Sequence, residues 1–63
     1  MIENKVYISL NGYYALNNVA EIINWIIDYS NNYTWAGGEF NDIPYGVYLD
    51  YKDAILFKLK FGL

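Results

Sequence analysis

The side chains able to do chemistry in this chain are carboxylates and hydroxyls, because it contains no His and no Cys, and all four of its basic residues are Lys. Three carboxylate pairs have spacings worth weighing: Glu21 with Asp28, Glu39 with Asp42, and Asp50 with Asp53. A general acid–base pair needs at least one carboxyl whose pKa is raised by an apolar pocket or a close like charge. None of the six sits in an evident pocket of that kind, and helix capping, turn formation and solubility account for all of them. Ser9, Ser30 and Thr34 have no base to activate them, which removes the serine-triad option. Oxygen ligands alone remain for a metal, and no D-x-D-x-D-G calcium-loop spacing occurs. Gly37-Gly38 is followed by Glu39, not by the Lys-Ser/Thr of a phosphate loop. No catalytic residue, cofactor site or metal site is therefore expected, and the chain reads as a non-enzyme.

What the chain has in quantity is contact surface. Eight Tyr, three Phe and two Trp make 21% of its 63 residues aromatic. A chain of this mass, taken as one domain over residues 1–63, should fold to a surface of about 4,200 Å² and bury only ~60% of what it exposes unfolded. Each ring carries roughly 150–250 Å², so several must stay outside, where aromatic residues typify interfaces. Small domains usually need a staple, and without cysteine the remaining one is association, with a second copy or another partner.

The net charge of −3 opposes attraction to nucleic acid or anionic lipid. The first ten residues carry Glu3 and lack the basic-then-apolar order of a signal peptide. Glu21 and Asn24 interrupt the longest apolar stretch well short of 18 residues. A soluble protein of the cytoplasm, with no membrane partner, is the expectation. Eight each of Asn, Ile and Tyr, with Lys as the sole basic residue, point to an AT-rich genome such as that of a phage or a low-GC bacterium.

These groups must be positioned by a small number of elements. Lys5–Leu10 alternates as a half-buried strand, with Val6, Ile8 and Leu10 on one side and Lys5, Tyr7 and Ser9 on the other. Asn11-Gly12 follows as a tight turn, which could also close a hairpin onto Tyr13–Leu16. Asn18 and Glu21 have capping-box spacing ahead of Val19, Ile22, Ile23 and Ile26, which recur at helical intervals up to an Asn31-Asn32 stop. The polar stripe of that helix (Glu21, Asn24, Asp28) covers only about 60°, so its apolar part is wider than one sheet needs. Residues 33–42 form either a short hairpin, with Trp35 across from Phe40, or an aromatic-bearing loop. Tyr45–Leu49 and Ala54–Phe61 alternate and pair as a hairpin through a three-residue loop, Tyr51-Lys52-Asp53. The fold expected is α+β: a single two-layer β-α-β-β domain, with a three-stranded antiparallel sheet of order 1-3-2 and one helix on one face.

On that frame two surfaces could bind. Trp25, Tyr29, Tyr33, Trp35 and Phe40 lie among Glu21, Asp28, Glu39 and Asp42, an aromatic centre with an acidic rim suited to a basic protein surface. The outer sheet face would set Tyr7 and Tyr48 beside Lys5, Lys58 and Lys60, a weak version of a single-strand nucleic-acid platform, so nucleic acid is the less expected partner. A homo-oligomeric structural subunit burying the helix flank against itself is a third reading. An amphipathic membrane helix is not, because the polar face of the 18–30 helix is acidic. No motif matches a known family. The general profile, small, acidic, aromatic-rich and free of catalytic residues, resembles as a class the phage-encoded inhibitors of host enzymes, such as anti-CRISPR and anti-restriction proteins. That resemblance implies a non-catalytic protein in the host cytoplasm that occludes a basic, nucleic-acid-handling surface of a host protein.

Overall fold

The computed structural model describes residues 5–38 and 43–62. Among them the elements run β1 (Lys5–Ser9), α1 (Asn11–Leu16), α2 (Val19–Tyr29), β2 (Thr34–Ala36), β3 (Gly46–Asp50) and α3 (Tyr51–Phe61). The architecture is the expected one at the level of class and sheet: a small α+β domain with three antiparallel strands in the order β1-β3-β2. The segments that occupy those places differ from expectation in three respects, each with a local cause.

The largest difference is at the C-terminus, where Ala54–Phe61 is helix and not the central strand. Its apolar residues satisfy both periods, since Ile55, Phe57, Leu59 and Phe61 alternate while Ala54, Phe57 and Phe61 share one helix face. The charges break the tie. Asp53 stands in the first turn, Lys58 and Lys60 in the last, and Gly62 follows with φ +65° in the left-handed region that ends helices. Tyr51-Lys52-Asp53 is consequently the first turn of α3 and no hairpin loop. The central strand is β3, and it enters α3 directly at Asp50 with no intervening loop.

Second, Thr34–Ala36 is a strand, but its partner is β3: Thr34 lies opposite Tyr48 and Trp35 opposite Val47. Phe40, expected across from Trp35, lies outside the described residues. Third, Asn11-Gly12 opens a short helix in place of a turn, which makes three helices among the described residues where one was expected. Asn17 closes α1 by donating from its backbone N–H (2.9 Å) and its Nδ2 (3.2 Å) to the Tyr13 carbonyl. Asn18 then caps α2 as its spacing predicts, its Oδ1 accepting from the Glu21 N–H at 3.2 Å. That helix ends at Tyr29, with Ser30 extended behind it, short of Asn31-Asn32.

Strand alternation sorts the sheet into two faces. Val6 and Ile8 of β1, Leu49 and Val47 of β3, and Trp35 of β2 point one way. All three helices cover that side, contributing Tyr13, then Ile22 and Ile26, then Ala54, Phe57 and Phe61, and Leu10 is sealed with them. Phe57 is fully buried at the point where the helices meet. Its ring centroid lies 4.8 Å from Tyr13, 4.8 Å from Phe61 and 5.7 Å from Trp25.

Two consequences for stability follow. Phe57→Ala should cost about 3–5 kcal/mol, which is most of what a domain this small has; circular dichroism at 25 °C is expected to show a largely unfolded variant. Burial also pushes the Tyr13 and Tyr14 phenols above 10.0, their ordinary value, by desolvating the ionised form. The neutral phenols fit the fold and the phenolates do not, so this stabilisation is whole below about pH 10 and is lost as pH rises through the raised folded values. Thermal unfolding midpoints should fall above about pH 10, and less so for Tyr14→Phe, which has one fewer phenol to ionise.

Candidate functional site

α3 is apolar toward the core and apolar away from it. Ala54, Phe57 and Phe61 are buried. At 100° per residue, Ile55, Leu56 and Leu59 fall on the opposite side, with Tyr51 at the edge of the same arc. Tyr51 is 66% exposed, Ile55 43%, Leu56 52% and Leu59 76%. Lys52 lies within this outward arc, Lys58 and Lys60 border it on either side, and all three are exposed. A helix that is greasy on every side is normally buried on every side. Scattered exposed apolar residues need no explanation, but four large ones contiguous on one helix do.

α2 presents a different surface. Glu21, Asn24 and Asp28 are exposed on its outward side, and no lysine lies on this helix. Trp25 and Tyr29 flank that stripe and stack on each other, centroids 5.0 Å apart and planes 24° apart. Trp25 is only half available, because its edge also meets Phe57 (5.7 Å) and Phe61 (6.0 Å), where it closes the seam between α2 and α3. Tyr29 is the exposed member of the pair.

Tyr33 and Trp35 form a second aromatic pair, 5.1 Å apart and edge-to-face, partly buried against the core. Trp35 belongs to the other flank of α2. With Ile23, Ile27, Gly37, Gly38 and Pro44 it lines an apolar groove of about 230 Å³. The nine residues expected to make one patch are thus divided. Glu21, Asp28, Trp25 and Tyr29 come together on α2, Tyr33 and Trp35 lie apart from them, and Glu39, Phe40 and Asp42 lie outside the described residues.

Among the described residues no helix covers the outer face of the sheet. Tyr7 tilts against Tyr48 with centroids 5.1 Å apart, and its ring lies over Gly46, where any side chain would collide with it. The lysines expected there are elsewhere, since Lys58 and Lys60 belong to α3 on the far side of the sheet. Lys5 does stand on this face, but its ammonium is bound to Asp50 at 2.9 Å and donates to the Asn32 carbonyl. The face is therefore close to electrically neutral, and the tyrosine–lysine platform that would stack and neutralise a nucleic-acid strand is not assembled.

Among the described residues no three His, Cys, Asp or Glu side chains cluster as metal ligands. The described carboxylates fall in three places: Glu21 and Asp28 on the outward side of α2, Asp50 paired with Lys5, and Asp53 in the first turn of α3. Nor is any helix among them long and apolar enough to cross a membrane. No protein-family model, curated protein or solved structure matches the chain. The outward residues of α3 are what sequence reasoning missed. Their signal was the ordered charge of Asp53, Lys58 and Lys60, closed by Gly62.

Because Trp25 wedges between two helices, its truncation acts on the fold. Trp25→Ala is expected to lower stability by about 2–4 kcal/mol, whereas Tyr29→Ala should change it by no more than about 0.5 kcal/mol. Urea denaturation of the two variants checks this, and equal losses would contradict the packing described.

Proposed function

We propose that this chain is a non-catalytic protein-binding domain that works by covering a surface of another protein molecule. The observation that supports it is the outward face of α3: Tyr51, Ile55, Leu56 and Leu59 form a contiguous apolar stripe with no covering element among the described residues. Such a stripe, edged by lysines whose stems can lie along it, is the usual anatomy of a docking helix. An enzyme would call instead for a concave site with converging polar groups, and the described groove is lined by apolar side chains, glycines and a proline.

A narrower reading of the same function concerns α2. Glu21 and Asp28 beside the exposed Tyr29 favour a basic partner surface, such as the nucleic-acid-binding face of a host enzyme, which the domain would inhibit by occlusion. The phage-type anti-defence role suggested by the chain's composition belongs to this reading.

Affinity capture separates the two surfaces. The immobilised chain is exposed to lysate of a low-GC bacterium and compared with Leu59→Glu and with Glu21→Lys/Asp28→Lys. Loss of a captured protein with Leu59→Glu is the expected result, and additional loss with the α2 charge reversal supports the basic-partner reading. Identical capture by all three chains would sink both surfaces.

A further inference from the structure

We propose that the occupant of α3's outward face is the α3 of a second copy of this chain, packed antiparallel about a two-fold axis. This rests on the reading of that face as a docking surface and names what docks there. One flank of the helix selects this occupant. An acidic partner or an anionic lipid surface would call for cations alone along that flank, but it carries Asp53 in the first turn and Lys60 in the last, with Lys52 and Lys58 elsewhere around the helix. Asp53 and Lys60 stand seven residues apart and so lie on the same flank, within about 20° of each other. Around a two-fold axis an antiparallel pair sets each flank against the same flank of its mate, reversed. Asp53 then faces Lys60 of the partner subunit, and the contact occurs twice. A parallel pair would set this flank against the opposite flank of its mate, so that Asp53 and Lys60 would not meet.

Lys52 stands in the middle of the outward arc near the start of α3. In the reversed pair that is the neighbourhood of the other helix's C-terminal turn, where the carbonyls favour positive charge and the lysines already there oppose it. Leu56, at the middle of α3, falls near the axis and close to its own counterpart, with Leu59 beside it and Ile55 further round the same side. The area also fits. The four apolar side chains expose on the order of 500 Å² per chain, so complete coverage in two copies removes at most about 1,000 Å² from water, the lower bound for a specific interface. An interface of that size supports a weak, concentration-dependent dimer.

Sedimentation velocity from about 1 to about 500 µM should show a reversible monomer–dimer equilibrium. Leu59→Glu should raise the dissociation constant at least about tenfold with an unchanged circular dichroism spectrum. Asp53→Lys and Lys60→Asp should each weaken the dimer, about threefold or more, and combining them in one chain should restore it; a parallel pair would show neither effect. The chain has no cysteine of its own, so a single Leu56→Cys should form a disulfide-linked dimer on mild oxidation, while Asn24→Cys on α2 should not. This last comparison holds even if a charge variant folds poorly. A chain that stays monomeric at about 500 µM and does not cross-link through position 56 overturns the proposal, as does a dimer indifferent to Leu59→Glu. Failure of the underlying reading looks different. A monomer that captures another protein, or binds phosphatidylserine vesicles, through α3 removes only the second copy for the first outcome and replaces protein by lipid for the second. A monomer inert to both means that this face docks nothing.

Discussion

Everything in this fold converges on the ring of Phe57. It is fully buried, and the rings around it come from all three helices: Tyr13 from α1, Trp25 from α2 and Phe61 from its own α3. Edge-to-face and tilted contacts between such rings add to the area they bury, and here they replace the staples that a cysteine-free chain of this size lacks. The sheet below supplies Ile8, Val47 and Leu49 as a flat apolar floor, and the aromatic cluster holds the helices to one another above it. This arrangement also fixes which side of each helix is left outside. Because α3 turns Ala54, Phe57 and Phe61 inward, Ile55, Leu56 and Leu59 must point out.

The surplus of apolar and aromatic area was legible in composition, but its location was not. The two tryptophans looked like the surplus because they are the largest rings and lie beside acids. In the folded chain both lean on the core, Trp25 at the seam between helices and Trp35 over the groove beside Ile23 and Ile27. The unspent area is on aliphatic residues of α3, of which alternation assigns Ile55 and Leu59 to the inner face of a strand and Leu56 to its outer face. The physical reason is that a strand buried on one face and a helix buried on one face both tolerate a run such as Ala-Ile-Leu-Phe-Lys-Leu-Lys-Phe. Only the terminal charges and the left-handed Gly62 distinguish them. Where one period was unambiguous the reading held. The inward set Val6, Ile8 and Leu10, the cap at Asn18 and the buried Ile22 and Ile26 all stand where their spacing puts them. Sheet order 1-3-2 is also met, although the segment in the middle is β3 and not Ala54–Phe61, the segment expected there.

Charge is segregated in a way the small net value conceals. Among the described residues three of the four lysines lie on α3, and the fourth, Lys5, is engaged by Asp50 across the β1–β3 pair. The sheet's open face is left with tyrosines and near neutrality, and α2 is left acidic. A single chain thus offers three chemically distinct exteriors: aromatic and uncharged on the sheet, acidic on α2, apolar with mixed charge on α3. The last of these is the one with the most to gain by leaving water.

The passage from β3 to α3 without a loop makes chain length at that point unforgiving. Asp50 is at once the last rung of the ladder, the ion partner of Lys5 and the residue before the first helical turn. One residue inserted after it would spin α3 by about 100° while the strand stayed clamped. Phe57 would swing out of the aromatic nest, and a flank built for water or for a mate would be pressed onto the floor of Val47 and Leu49. Substitutions can drift along α3 while the fold survives, but insertions and deletions at this joint cannot, because helical phase there is set by the sheet.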